Sequence, residues 1–192
     1  MTDMNLSHHF LIAMPSMADP QFAGSVSYIL QHDEQGAMGV IINRLSPYHL
    51  AEICQSAQIS PVDSLKGEHS VHHGGPVSAE QGFVLHRFSE RAWQGSVDNG
   101  NLSLTTSQDI LQALAQGEGP SDFLFCLGYS GWSEGQLEDE LRENAWLTVA
   151  ADNEIIFSSN NTSKYQRALS LLGVDLAALS GHGGQALARS EL

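Results

Sequence analysis

Apolar and β-branched residues in the first third of the chain fall in short runs. His9 to Met14, Val26 to His32 and Gly36 to Asn43 are each bounded by Pro, Asp or Gly, which predicts three strands. Asp33-Glu34-Gln35-Gly36 between the second and third predicts a tight hairpin. Ser46-Pro47 then reads as an N-cap followed by proline at the first helical position. Leu50, Ile53, Cys54 and Ala57 follow at i, i+3, i+4, i+7, the stripe of an amphipathic helix.

Strand patterns return at Ser70 to Gly74, Gly82 to His86, Gly95 to Val97 and Leu102 to Thr105. Thr106 and Asp109 fit a capping box for a helix through Ile110, Leu111 and Leu114, which Gly117-Glu118-Gly119-Pro120 should stop. Asp122 to Leu127 reads as a buried strand that enters the turn Gly128-Tyr129-Ser130-Gly131-Trp132. Ser133 with Gln136 then caps a helix to about Glu143, with Leu137 and Leu141 inward. A strand at Trp146 to Val149 and a short helix near Asn153 to Phe157 follow. The last helix carries Tyr165, Ala168, Leu169 and Leu172 and stops at Gly173. Strands grouped early, rather than in strict βαβ alternation, predict one mixed α+β domain over residues 1–180 with a frayed tail over 181–192.

Composition narrows the class of partner. Eight Lys and Arg against 22 Asp and Glu give a formal net charge of −14 over 192 residues. An anionic surface disfavours nucleic-acid backbones and anionic membranes, because phosphate contacts need basic clusters. Direct DNA binding would require several of Arg44, Lys66, Arg87, Arg91 and Arg142 to gather on one face, and Glu68, Glu80 and Glu90 dilute the middle of that set. No Lys or Arg precedes Arg44, so there is no basic n-region of a secretory signal. No run approaches the roughly 18 apolar residues of a membrane span. Cys54 and Cys126 form neither a CxxC motif nor a disulfide framework. These features predict a cytoplasmic, reduced protein with no membrane association.

Nine histidines outnumber the fixed cations, and protonating them all would offset much of the −14 charge. His8-His9 and His72-His73 are adjacent pairs, whose members point to opposite faces of a strand. A metal site would need His9, His32, His73 and His86 to converge. Without an HExxH or CxxC framework, hydrogen-bonded histidine at strand ends is the preferred reading, and neither a metal nor a cofactor is assigned. Glu134, Glu138, Asp139, Glu140 and Glu143 read as a solvated acidic helix face. Cys126, within Phe123-Leu124-Phe125-Cys126-Leu127, and Cys54, on its apolar stripe, read as core thiols.

The glycine clusters are more informative. Gly74-Gly75-Pro76 follows a strand, where it supports a turn or lets another backbone come close. Gly128-Tyr129-Ser130-Gly131-Trp132 should lead into a helix N-terminus, whose free N–H groups suit an anion. It has neither the P-loop lysine, nor GxGxxG spacing, nor the GxSxG elbow. The bland reading, a tight crossover packed by Trp132, is preferred to a Ser130 nucleophile. A ligand pocket would nevertheless draw on Gly74, Gly75, Pro76, Val77, His86, Gly128, Tyr129, Ser130, Gly131 and Trp132. No catalytic residue is assigned.

Several of these segments resemble the YqgE/AlgH family. They are His8 to Pro15, Gly36 to Asn43, Gly74 to Val77, Gly82 to His86, Thr105 to Asp109, Leu127 to Trp132, Gly135 to Glu138 and Asn144 to Leu147, in one order from about residue 5 to about 180. The resemblance implies a bacterial cytosolic protein whose α+β fold has a strand-rich, partly barrel-like sheet surrounded by several helices. It brings a transcriptional-regulator label linked to alginate regulation in pseudomonads, and it brings no catalytic residue set. Ala150-Ala151-Asp152 stands where the family usually has Pro-Ala-Asp. Gly183-Gly184-Gln185-Ala186 replaces its usual Gly-His-Ala. The expectation is a regulatory or binding protein acting through protein partners or a small ligand. An enzyme or small-molecule binder with a pocket between the glycine turns is the alternative, and direct DNA binding the third reading.

Overall fold

The apolar runs become strands whose two faces are both covered. The computed structural model describes residues 4–60, 69–88, 93–106 and 108–174. The expected tail 181–192, Lys66 and Arg91 lie outside the described residues. In β1 (His9–Ala13), Phe10 and Ile12 enter one hydrophobic cluster while Leu11 and Ala13 enter another. That double burial is why the run reads as continuously apolar. β2 (Val26–Asp33) and β3 (Gly36–Ile41) form the expected hairpin, with Asp33 paired to Gly36.

The remaining elements are β4 (Leu45–His49), α1 (Leu50–Ser56), β5 (Ser70–His73), β6 (Val77–Arg87), β7 (Ser96–Asp98), β8 (Leu102–Thr105), α2 (Gln108–Ala115), β9 (Phe123–Ser133), α3 (Gln136–Arg142), β10 (Trp146–Ala150), α4 (Asn153–Ile156) and α5 (Lys164–Leu171). A single 3₁₀ turn, Asn161–Ser163, precedes α5. The sheet runs β10-β1-β2-β3-β9-β6-β8-β7, and β4 joins it through β5. Its ladders are antiparallel except β5 with β9. The α+β fold is a curled half-barrel sheet with five α-helices among the described residues. No helix among them is long and apolar enough to cross a membrane.

β9 organises the sheet. Its first half pairs with β5 and β6, and Ser130 to Ser133 pair with Gly39 to Gly36 of β3. The segment Gly128 to Trp132 is therefore strand, which corrects the expected turn into a helix. Gly128 takes φ +75 without ending the strand, because β3 continues the ladder beyond, and the extra residues of the irregularity opposite it lie in β6 between Val77 and Gly82. The helix starts only at Gln136, after Gly135 at φ +75, and no anion-ready N-terminus faces the glycine cluster.

Two further expectations change. Ser46-Pro47 lies in β4, and α1 begins at Leu50 with His49 as its N-cap and Glu52 closing the capping box. Proline is tolerated there because β4 pairs only with β5 and is an edge strand. β6 starts at Val77 rather than Gly82, its register with β9 shifting between those two residues.

Three apolar clusters hold the helices to the sheet. α4 and α5 cover Phe10, Ile12, Tyr28, Val40, Leu85 and Leu124 through Ile155, Ile156, Ala168 and Leu169. α1 and α2 close Val71, Val84 and Phe125 through Leu50, Cys54, Ile110 and Leu114. α3 and the N-terminal segment cover Leu11, Ala13, Ile29, Trp132 and Trp146 through Leu137 and Leu6. Each fully buried Leu, Ile or Phe contributes about 1.5–3 kcal/mol of transfer free energy.

Candidate functional site

The two glycine segments do meet. Gly74 and Gly75 pass directly over Gly128 to Ser130, and Ser130 Oγ donates to the Gly74 carbonyl oxygen at 3.1 Å. The Gly74 oxygen also accepts from Ile41 N, and Gly74 N donates to Leu127 O. A Cβ on Gly75 would overlap the Tyr129 carbonyl, and one on Gly128 would overlap the Gly75 carbonyl. Backbone and the Ser130 hydroxyl thus fill the crossing. Pro76 is exposed beside it, and Gly131 meets only the Tyr129 ring and Val77 at ordinary contact distance.

The other members of the predicted set diverge. Tyr129 packs edge-on against Phe83, with ring centroids 5.5 Å apart. Trp132 belongs to the α3 side, where it meets Trp146 and donates Nε1–H to Glu140 Oε1 at 3.2 Å. His86 pairs with Phe123 at the start of β9, well away from Gly128. Its Nδ1 donates to Arg87 O at 2.9 Å and its Nε2 lies 2.8 Å from Thr105 Oγ1. Burial lowers its pKa, and the Arg87 carbonyl opposes that only in part.

Among the described residues, histidine rings are hydrogen-bonded inside the fold at His8 to Tyr28, His9 to Ser7 O, His32 to Leu6 and Glu138, His72 to Asn161, and His86 as above. Each lies at a strand end or one residue from it. Among the described residues, no group of three or more His, Cys, Asp or Glu side chains is placed to hold a metal ion.

A concavity among the described residues lies elsewhere, between the β2–β3 hairpin and α3. It measures about 750 Å³ and is lined by Met4 and Asn5 of the N-terminal segment, His32, Asp33 and Glu34 of the hairpin, and Glu138, Leu141 and Arg142 of α3. His32 forms its floor, with a side chain only 1% exposed. Leu6 N donates to His32 Nδ1 at 3.0 Å, so that nitrogen carries no proton. The ring proton therefore sits on Nε2 and is donated to Glu138 Oε1 at 2.5 Å. Burial raises the Glu138 pKa. Its own backbone amide, the His32 hydrogen bond and the Arg142 charge together outweigh that and hold the carboxyl below the ordinary value. The site presents an oriented carboxylate beside apolar Met4 and Leu141.

α3 is thus less solvated than its sequence suggests. Glu140 Oε1 also accepts from Trp146 Nε1 at 2.8 Å, and Gln136 Nε2 donates to Glu140 Oε2 at 2.9 Å. Nothing in the sequence joins His32 to Glu138, which stand 106 positions apart. A second group went unweighed: Lys164, fully buried, which donates Nζ to Ile42 O at 2.8 Å. Extending the α5 stripe back from Ala168 by four positions reaches it. Burial pushes the Cys126 thiol up to about 12, with Lys164 opposing, and it raises Cys54 as well. Both thiols are core groups.

Comparison with known proteins gives this geometry its relatives. The profile of the AlgH-like family matches residues 10–177. A UPF0301 protein of Thiobacillus denitrificans is 47% identical over 186 residues, covering 97% of this chain and 100% of the relative. The UPF0301 protein AlgH of Pseudomonas aeruginosa is 46% identical over 182 residues, covering 94% and 96%. The solution structure of AlgH from Pseudomonas aeruginosa superposes with a TM-score of 0.78 at 45% identity, over 96% of this chain and 97% of that one. A Corynebacterium diphtheriae crystal structure shares the fold, at TM-score 0.66 and 16% identity over 88% of each chain. With its profile, its curated relatives and its fold in agreement along nearly the whole length, the chain belongs to the AlgH-like family.

Proposed function

We propose that this is a regulatory or binding protein that acts through a protein partner or a small ligand seated at the His32–Glu138 cleft, rather than by contacting DNA. One observation carries the reading: four of the five described Lys and Arg side chains already hold an acceptor within the protein. Arg44 donates to the carbonyls of Gln21 and Ala23, Arg87 pairs with Asp122, Arg142 pairs with Asp139, and Lys164 is buried on Ile42 O. Duplex binding needs several such charges free on one face. A cytoplasmic setting, with reduced Cys54 and Cys126, fits the same reading.

The pocket between the glycine turns is the second reading. What favours it is the approach of Gly74 and Gly75 to Gly128 to Ser130; what weighs against it is that Ser130 Oγ and the Gly74 polar atoms are already bonded to one another and to the backbone.

A thermal-shift screen of metabolites and nucleotides, together with partner capture, tests the cleft when run on wild type, Glu138→Gln and Glu143→Gln. A ligand specific to the folded state raises the melting point with log concentration. Binding lost in Glu138→Gln and kept in Glu143→Gln supports the cleft. Equal binding by all three contradicts it.

A further inference from the structure

The N-terminal arm over the cleft hangs on His32. Leu6 N donates to Nδ1 of the ring, and Ser7 Oγ accepts from the His32 backbone N–H at 3.1 Å. Leu6 is buried in the apolar cluster with Trp146 and Leu137, while Met4 and Asn5 form one wall of the cleft. Because Nε2–H is already given to Glu138, a second proton on His32 can go only onto Nδ1. There it would meet the Leu6 N–H head-on, donor against donor.

We propose that residues 4–7 are an acid-released gate: protonation of His32 expels the Leu6 amide, frees the arm and opens the cleft. Glu138 from α3 accepts the Nε2–H, Asp33 and Glu34 from the hairpin line the same cleft with Asp33 Oδ1 held by Gln35 N, and the cleft's cation, Arg142, is turned to Asp139. The Leu6 hydrogen bond and the burial of both Leu6 and the ring oppose a second proton, so docking of the arm and binding of that proton exclude each other. Histidine is the side chain whose ordinary titration falls between about pH 5 and 8. The neighbouring histidines lack this coupling. His9 donates Nδ1–H to Ser7 O, so a second proton goes to Nε2 and leaves that bond intact. His8 is held through its backbone, to Ile29 O and from Ala151 N.

The inference rests on the cleft being the binding seat for its consequence, but the gate itself is measured without ligand. Amide hydrogen exchange on the full chain, from about pH 7.5 to about pH 5, should show a Leu6 protection factor that is level at the alkaline end and falls towards the acid end with a slope approaching tenfold per pH unit, one proton being linked to opening. The Ile29 amide should keep its protection. In His32→Asn, whose amide oxygen still accepts from Leu6 without titrating, Leu6 protection should not vary with pH. Imidazole ¹⁵N shifts of the wild type should show Nε2 protonated at neutral pH. Constant Leu6 protection in wild type, an unchanged pH dependence in His32→Asn, or the Nδ1–H tautomer would overturn the gate. A gate that opens on a cleft that binds nothing would instead contradict the functional reading alone.

Discussion

Lys164 lies wholly inside the protein with its Nζ 2.8 Å from the carbonyl oxygen of Ile42. An ammonium group has three donors, and burial against one acceptor favours the neutral amine. Its pKa is lowered to about 8 by that burial, helped by Arg167 and opposed by Cys126. The unfolded chain keeps this proton up to about the ordinary lysine value of 10.5, so between the two the unfolded state binds more protons and stability rises with pH. Urea denaturation across that window should show a gain of about 3 kcal/mol. Lys164→Met should remove it.

His72 sets the acid limb. Its ring donates Nε2–H to Asn161 Oδ1 at 2.9 Å, and its pKa falls to about 4 through burial and the nearby Lys164 charge, against the hydrogen bonds to Asn161 and the Phe125 backbone. A histidine held neutral stabilises the fold fully above the unfolded value of 6.5, and the contribution is lost as pH drops towards 4. The loss should approach about 3 kcal/mol. His72→Gln should flatten this part of the curve, measured by chemical denaturation at successive pH values.

Glu140 joins α3 to both Trp132 and Trp146. A carboxylate accepts at both oxygens, whereas the amide nitrogen of glutamine accepts nothing. Glu140→Gln should cost about 1–3 kcal/mol and shift tryptophan emission, since one amide oxygen can serve the two indole N–H groups only by turning an NH₂ against the Gln136 Nε2–H that Oε2 now accepts.

Gly128→Ala should destabilise by at least about 2 kcal/mol in urea titrations. The residue has φ +75, and a Cβ there would overlap the Gly75 carbonyl and lie 2.9 Å from the Ala79 Cα. A small effect would mean that the crossing is loose enough to admit a ligand.

Residues with a local reason for their conformation were legible in the sequence. The β2–β3 hairpin follows from Asp33 to Gly36, and the end of the last helix from Gly173, whose φ is +73. α+β architecture followed from the grouping of strands. Gly128 to Trp132 misled because a glycine cluster after a strand resembles a turn, while the partner that keeps it extended, β3, lies about ninety positions earlier in the chain. Pro47 misled because its edge position is a property of the sheet. In the candidate site, the meeting of the two glycine segments was foreseen, whereas His32–Glu138 was not. Which carboxylate of an acidic helix turns inward depends on the strand packed beneath it, and that pairing leaves no local trace.

The account rests on committed cations and a −14 charge, so duplex binding is its most direct test. Fluorescence anisotropy of labelled duplex DNA, titrated with purified full-length protein at low salt where phosphate contacts are strongest, should show no saturable binding. Sequence-selective binding that weakens steeply as salt is added would contradict it.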